Sequence, residues 1–275
     1  MIEDLFDVTN RIVIITGGLG QLGSEFVKEF LRRGARVAVF NRTIRQQVIQ
    51  ERFTQEERES SRLEFYAVDI CKKSDLQQAV SKVIFGWGVP DVLVNNAGID
   101  TQPSAPPEVS GPFEMFPEEV FREVVEVNLV GTFLCAQAVG AKMAEAGRGS
   151  IINIGSIYGM LSPVQDIYTY KEEQTGIPFI KPVAYSASKS GIYNLTRYLA
   201  TYWAKKGVRV NTFTPSGVYR ETQDKEFQKR YCERIPIGRM ARPDEYNGAI
   251  IFLSSDASKY MTGANLVVDG GWSAW

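Results

Sequence analysis

The sequence predicts an α/β fold: a single doubly wound, mainly parallel sheet of seven strands with helices on both faces. Three observations predict it. Short apolar runs of strand length alternate with longer stretches of helical periodicity along residues 1–275, without an internal repeat or a linker. The first run, Ile12 to Ile15, passes through Thr16-Gly17-Gly18-Leu19-Gly20-Gln21-Leu22-Gly23 directly into the helix-patterned stretch Ser24 to Leu31. The polar residues that stand out fall at the carboxyl ends of the runs, where such sheets bind ligands. The length suits one large domain with a substantial core.

The elements follow in order. Glycines let the turn after the first strand bend tightly and approach an anion. The free N–H groups and positive dipole of the next helix attract that anion. Strand, turn and helix together are the phosphate-cradling half of a dinucleotide site, using Gly17, Leu19, Gly20, Gln21 and Leu22. A tight loop with no ligand is the alternative for the turn taken alone. Gly34 stops the helix, and Ala35 to Phe40 is the second strand. Asn41 and Arg42 stand at its end, where an adenosine ribose lies. An acidic residue there would bind both ribose hydroxyls and repel a 2′-phosphate. The neutral Asn41 and cationic Arg42 favour NADP, with NAD left open. An exposed arginine at a strand end is the plain alternative.

Residues 44–60 are polar and charged and predict a surface helix. Leu63 to Val68 is the third strand, and Asp69 and Ile70 follow, Asp69 placed to accept from an adenine amine. A helix over 74–85 opens with Ser74 as N-cap and Asp75 in its first turn. Asp91 to Val94 is the fourth strand and runs into Asn95-Asn96-Ala97-Gly98, small enough to let a ligand lie on the backbone. A Pro- and Ser-rich loop over 100–117 is too long for an idle connector. The helix from about 117 to 146 carries Asn128 in its middle, which predicts a local distortion or a polar task. Ser150 to Ser156 is the fifth strand. Tyr185-Ser186-Ala187-Ser188-Lys189 opens a helix that runs through Ala204. Val208 to Phe213 is the sixth strand, followed by Pro215-Ser216-Gly217-Val218. Residues 219–235 are charged and read as mobile. A last helix runs from Arg242 to near Leu253, and the seventh strand lies within Gly263 to Gly271.

Composition narrows the chemistry. The chain is 44% hydrophobic and 23% charged with a net charge of −1, so neither a nucleic-acid surface nor a polybasic membrane contact is expected. No apolar run reads as long enough to span a membrane. The acidic start lacks the pattern of a signal peptide, and the three cysteines are scattered without metal or disulfide spacing. These features point to a cytoplasmic, reducing setting. There are no histidines, which excludes Ser-His-Asp and Cys-His catalysis and any His-ligated metal; no metal is expected. Proton transfer falls to Tyr, Lys, Asp, Glu or water.

Tyr185 and Lys189 are one helical turn apart and share a face. A free tyrosine, with a pKa of about 10, is a poor base at neutral pH. A neighbouring ammonium favours the phenolate and would bring Tyr185 into working range. On an arbitrary helix the pair would be accidental; here it follows a strand-ending serine in a dinucleotide-type fold.

With Thr16 to Gly23, Asp69, Asn95 to Gly98, Asn128, Ser156, Tyr185 with Lys189, and Pro215, the chain resembles the classical short-chain dehydrogenases/reductases over nearly its whole length. The resemblance implies a Rossmann-type domain. It implies Tyr185 as general acid/base and Ser156 bonded to the same substrate oxygen. Lys189 would bind the nicotinamide ribose, and Asn128 would hold a water of a proton relay. Asn96, Ala97, Gly98, Pro215, Gly217, Val218 and Ile70 would complete the cofactor contacts, together with Tyr185 and Lys189. Self-association as a homotetramer or homodimer, through helices 117–146 and 185–204, is implied as well.

Three departures stand out. Gln21 occupies a usual glycine position, with Gly20 one place earlier, a spacing that resembles the extended branch. Ser216 replaces the usual glycine after Pro215. The segment 157–184 is longer than the family norm and begins and ends beside the presumed catalytic residues. Its Tyr158, Gln165 and Tyr168 suit a polar, ring-shaped substrate such as a sugar or sugar phosphate; cover for a subunit interface is the alternative. It resembles oxidoreductases of flagellin glycosylation and legionaminic-acid-type sugars. Residues 219–235 are a second wall, where Arg220, Lys225, Lys229 and Arg230 are candidates to meet a phosphate, or simply line a solvated helix. The expected activity is NAD(P)-dependent interconversion of a secondary alcohol and a ketone. A 3-oxoacyl-thioester reductase is the alternative enzyme. A dinucleotide-binding sensor is the non-enzymatic one, though Ser156, Tyr185 and Lys189 are all intact.

Overall fold

The apolar runs become strands because both of their faces are covered. In the computed structural model, which describes residues 4–275, β1 (Ile12–Thr16) and β4 (Val92–Asn95) are buried along their whole length. The other strands are β2 (Arg36–Asn41), β3 (Leu63–Ala67), β5 (Gly149–Ile154), β6 (Val208–Pro215) and β7 (Asn265–Val268). The sheet order is β3-β2-β1-β4-β5-β6-β7, and every pair is parallel. The order reverses direction between β1 and β4, so a crevice opens at their carboxyl ends.

Alternation along β1 feeds two cores. Val13 and Ile15 pack with Phe26, Val27 and Phe30 of the Gln21–Arg32 helix and with Ile250 of the Asn247–Ser254 helix. Ile12 and Ile14 pack on the other face with Leu76, Val139, Met143 and Leu199. A third cluster lies outside the sheet and joins Tyr158, Tyr168, Phe179, Tyr231, Met240 and Trp272.

The structure corrects several expectations. Residues 44–60 form two short helices, Gln46–Arg52 and Gln55–Glu59, rather than one. Phe53 turns into the core at the break, and Thr54 and Glu57 close a capping box that starts the second helix. The Lys73–Trp87 helix starts before Ser74, which does not cap it, while Asp75 is in the first turn as expected. Residues 219–235 hold a formed helix, Lys225–Cys232. Asp224 caps it by accepting from Glu226 and Phe227, and Tyr231 is buried. The run Glu118–Glu145 is, by length and composition, apolar enough to cross a membrane, contrary to the sequence expectation. Its Cys135, Ala136, Val139 and Met143 pack into the sheet core. The distortion expected at Asn128 is present: Glu126–Val130 is a π-helical segment within that run.

Candidate active site

The glycine turn is shaped by close contacts. Gly17 has φ +67°, and a Cβ there would lie 2.9 Å from the Cα of Ala97. A Cβ on Gly23 would lie 2.3 Å from the Gly17 carbonyl oxygen. Asn96 fastens the turn from β4 by donating to the carbonyls of Thr16 and Gly17 at 3.0 and 3.1 Å. The Thr16 hydroxyl accepts from the Asn96 and Ala97 amides at 3.1 and 3.0 Å. Asn41 accepts from the Leu19 amide at 3.0 Å.

A cleft of about 940 Å³ runs along the carboxyl ends of the strands. Gly17, Gly20, Gln21 and Leu22 line it beside β1, and Asn41, Arg42, Asp69 and Ile70 line it beside β2 and β3. Asn96, Ala97, Gly98, Pro215, Gly217 and Val218 border its centre. Arg42 is exposed there. One Asp69 oxygen accepts from the Cys71 amide at 3.0 Å. The fit to a nicotinamide dinucleotide is good on these observations. A glycine cradle that a Cβ at Gly17 or Gly23 would crowd sits at a helix start, and a cationic side chain stands at the β2 end.

At the centre, the Val183–Trp203 helix presents Tyr185, Lys189 and Tyr193 at helical spacing. The Lys189 ammonium donates to the Ile154 carbonyl at 2.7 Å and lies 5.9 Å from the Tyr185 ring centroid. Burial pushes Lys189 down to about 8, opposed in part by the Asp100 charge. Tyr185 is raised above the ordinary tyrosine value, first by burial, then by Asp100, while a hydrogen bond with Ser156 pulls it down. This shift runs opposite to the lowering expected from Lys189, and burial is its first cause. Ser156 starts the short Ile157–Met160 helix, its hydroxyl accepting from the Tyr158 amide at 3.2 Å. Tyr193 braces it, donating to the Ser156 carbonyl at 2.7 Å and bonding Thr214 at 2.9 Å.

The other end of the cleft is built from the two long segments. The hydroxyls of Tyr158 and Tyr168 meet at 3.1 Å, and burial pushes Tyr158 up to about 12. Tyr231 packs on Trp272 at 4.5 Å and on Phe227 at 5.4 Å between ring centroids. A Cβ on Gly217 would come within 2.4 Å of the Tyr231 ring, so the glycine displaced from position 216 lets this aromatic wall close in. Gln21 reaches across the cleft, donating to the Tyr219 carbonyl at 2.7 Å and accepting from Arg220. A glycine at position 21 has no such reach.

Three expected contacts are not on the cleft. Leu19 is a core residue whose amide is already bonded to Asn41. The Asn128 side chain is wholly buried, accepting from the Ile99 amide at 2.8 Å and donating to the Ile99 carbonyl and Ser188 at 2.9 and 3.0 Å. It holds the backbone after Gly98, and both of its amide protons are used within the protein. Gln165 spans the backbone of Lys181, accepting from its amide at 2.9 Å and donating to its carbonyl at 3.1 Å. Among the phosphate candidates, Arg230 is engaged by Glu226, Glu173 and Thr169. Arg220 lines the cleft; Lys225 and Lys229 do not. Tyr158, Tyr168, Ser156, Tyr185 and Lys189 all do.

The sequence reading missed Asp100, Lys181, Tyr193 and Tyr231. Tyr193 had a signal, two turns past Tyr185 on the same face. Lys181 had none: it is also four residues from Tyr185, but the helix begins only at Val183.

The profile of a family described as enoyl-(acyl carrier protein) reductase matches residues 20–273. The D-threitol dehydrogenase of Mycolicibacterium smegmatis is 30% identical over 272 residues, covering 98% of this chain and 95% of that one. A short-chain dehydrogenase from Leptospira borgpetersenii serovar Hardjo-bovis, solved with bound NAD+, is 34% identical with a TM-score of 0.84, covering 99% of this chain and 97% of the other. A gluconate 5-dehydrogenase from Burkholderia cenocepacia, solved with NADP and tartrate, is 28% identical with a TM-score of 0.83, covering 99% and 98%.

Proposed function

Because the chain belongs to the classical short-chain dehydrogenase/reductase family, as an NAD(P)-dependent oxidoreductase of CH–OH groups, we propose that it interconverts a secondary alcohol and a ketone of a sugar or polyol, with Tyr185 as general acid/base. One observation carries this reading. Tyr185, Ser156 and Lys189 line the same cleft between a dinucleotide-shaped half and a polar aromatic half. The bound nicotinamide supplies the hydride acceptor or donor. Tyr185 takes the proton of the substrate hydroxyl in oxidation and returns it in reduction. Ser156 hydrogen-bonds the same oxygen and orients it. Lys189 holds the nicotinamide ribose and leaves the Tyr185 phenolate a nearby cation. Asn128 acts one step removed, by fixing the backbone at Ile99.

The relatives' names support a polyhydroxylated substrate, since threitol and gluconate both are. The paired Tyr158 and Tyr168 hydroxyls support it too, and argue against the long apolar groove an acyl thioester needs. Exposed Arg42 beside β2 supports a preference for NADP, with NAD as the second cofactor. Exposed Phe133, Tyr198 and Tyr202, on the two long helices, support self-association as a homodimer or homotetramer. Three unbridged cysteines support a cytoplasmic setting.

The test is nicotinamide absorbance during turnover with each cofactor against polyols, sugar phosphates and acyl thioesters. Turnover confined to polyols or sugars supports the reading. Turnover on acyl thioesters alone overturns it.

A further inference from the structure

Asp100 and Lys181 are 81 residues apart and meet beside Tyr185. Both line the cleft. The Lys181 side chain is 4% exposed and that of Asp100 25%. The ammonium lies 2.7 and 2.6 Å from the two carboxylate oxygens and 2.9 Å from the Thr101 carbonyl. An ammonium has three protons, so Lys181 has none left for a ligand. A carboxylate has about four acceptor positions, and Lys181 uses two. Among the described residues, the one other approach is the Gln102 amide at 3.5 Å, the limit of a hydrogen bond. Asp100 therefore keeps acceptor capacity in a site that is half-closed to water.

The pair stands beside Tyr185 in the cleft. The Lys181 ammonium is 5.4 Å from the Tyr185 ring centroid, with Lys189 at 5.9 Å, so two ammonium groups stand close to the tyrosine. Burial first, and then the Asp100 charge, pushes Tyr158 up. Gln165 clamps the Lys181 backbone, which fixes the point from which the ammonium holds the carboxylate. A desolvated ion pair adds little net stability. A carboxylate held by it is a strong acceptor for a neutral hydroxyl and repels an anion.

We propose that Asp100, positioned by Lys181 and Gln165, is a specificity-determining residue that accepts a hydrogen bond from a second substrate hydroxyl, next to the oxygen handled by Tyr185. The proposal rests on the polyol reading above and names the chemistry at one position: a neutral hydroxyl rather than hydrogen, carboxylate or phosphate. Gln165 thereby acts on substrate choice through Lys181, without touching the substrate.

The experiment measures kcat and KM for butane-1,2,3,4-tetrol and butane-2,3-diol against butan-2-ol. The wild type should favour the vicinal polyols by about tenfold to a hundredfold in kcat/KM, the range for a hydrogen bond to a charged group. In Asp100→Asn that ratio should fall about tenfold or more, carried mainly by KM of the polyol. Because Asp100→Asn leaves Lys181 buried without its partner, the double variant Asp100→Asn with Lys181→Met is measured too, with cofactor-induced thermal stabilisation as the check on folding. Equal losses on all three alcohols would assign the pair a structural role and overturn the proposal. An unchanged ratio in both variants would overturn it while leaving the polyol reading intact. If the folded wild type binds cofactor and oxidises none of the three, the polyol reading fails and this proposal with it.

Discussion

The two halves of the cleft are built by different means. The cofactor half consists of strand ends and one glycine turn, tied by bonds to backbone: Asn96 to Thr16 and Gly17, and Asn41 to Leu19. Its side chains shape main chain. The substrate half consists of side chains from four segments far apart in sequence: the 100–117 loop, residues 157–184, residues 219–235 and the C-terminal end. Arg230 pairs with Glu173 across 57 residues, Lys181 with Asp100 across 81, and Tyr231 packs on Trp272. It has its own aromatic cluster, separate from the two sheet cores. The first half is a consequence of the sheet. The second is an addition that sheet topology does not dictate, and the proposed function assigns substrate choice to it. Gln21 bridges them through Tyr219 and Arg220.

Variants should break one half and spare the other. Tyr231→Ala should have the largest effect. It removes a buried ring packed on Trp272 and Phe227, and truncation of a buried aromatic costs about 3–5 kcal/mol. The loss should appear as a raised KM for alcohol and early proteolysis within 219–235. Cofactor affinity should fall much less than KM rises, since the aromatic cluster meets the cofactor half only beside Gly217 and is separate from the glycine turn. Loss of cofactor affinity in step with KM would show that the halves are not separable.

Gly23→Ala is the reciprocal break. Its Cβ would press on the Gly17 carbonyl at 2.3 Å, a backbone contact that cannot swing aside. Overpacking of this kind costs about 1–3 kcal/mol. Isothermal titration should show weaker binding of both NAD and NADP, while the aromatic cluster keeps its near-ultraviolet circular dichroism. Undiminished affinity would mean the turn relaxes without consequence.

Arg42→Asp should be smallest. It should move the NADP-to-NAD ratio of kcat/KM by about tenfold toward NAD, equal to about 1.4 kcal/mol. The exposed position keeps the effect modest. A ratio that does not move would place Arg42 away from the 2′ position.

Legibility in the sequence follows the same division. The glycine turn, Asn95 to Gly98, and Tyr185 with Lys189 are local patterns, each contained in a few residues, so spacing exposes them. The sheet is legible for the same reason, since each strand is a short apolar run. Leu19 misleads because its amide is spent on Asn41, 22 positions away. Gln165 misleads because an amide side chain in a polar loop reads as a ligand contact, whereas here it clamps backbone. Asp100 and Lys181 carry no local pattern, because each acquires its role only where the 100–117 loop and the 157–184 segment meet. The distortion at Asn128 is legible in outline, but not that its amide holds Ile99.

The most direct measurement compares cofactor binding and turnover in Tyr185→Phe. The ring stays and only the hydroxyl is lost, so the half-cleft for the dinucleotide remains whole. Calorimetric affinity for the nicotinamide cofactor should stay within about twofold of the wild type, while kcat on the preferred alcohol should fall by about 10²–10⁴, the range for a positioned acid/base. Turnover retained within about tenfold would remove Tyr185 from the proton transfer and contradict the account at its centre.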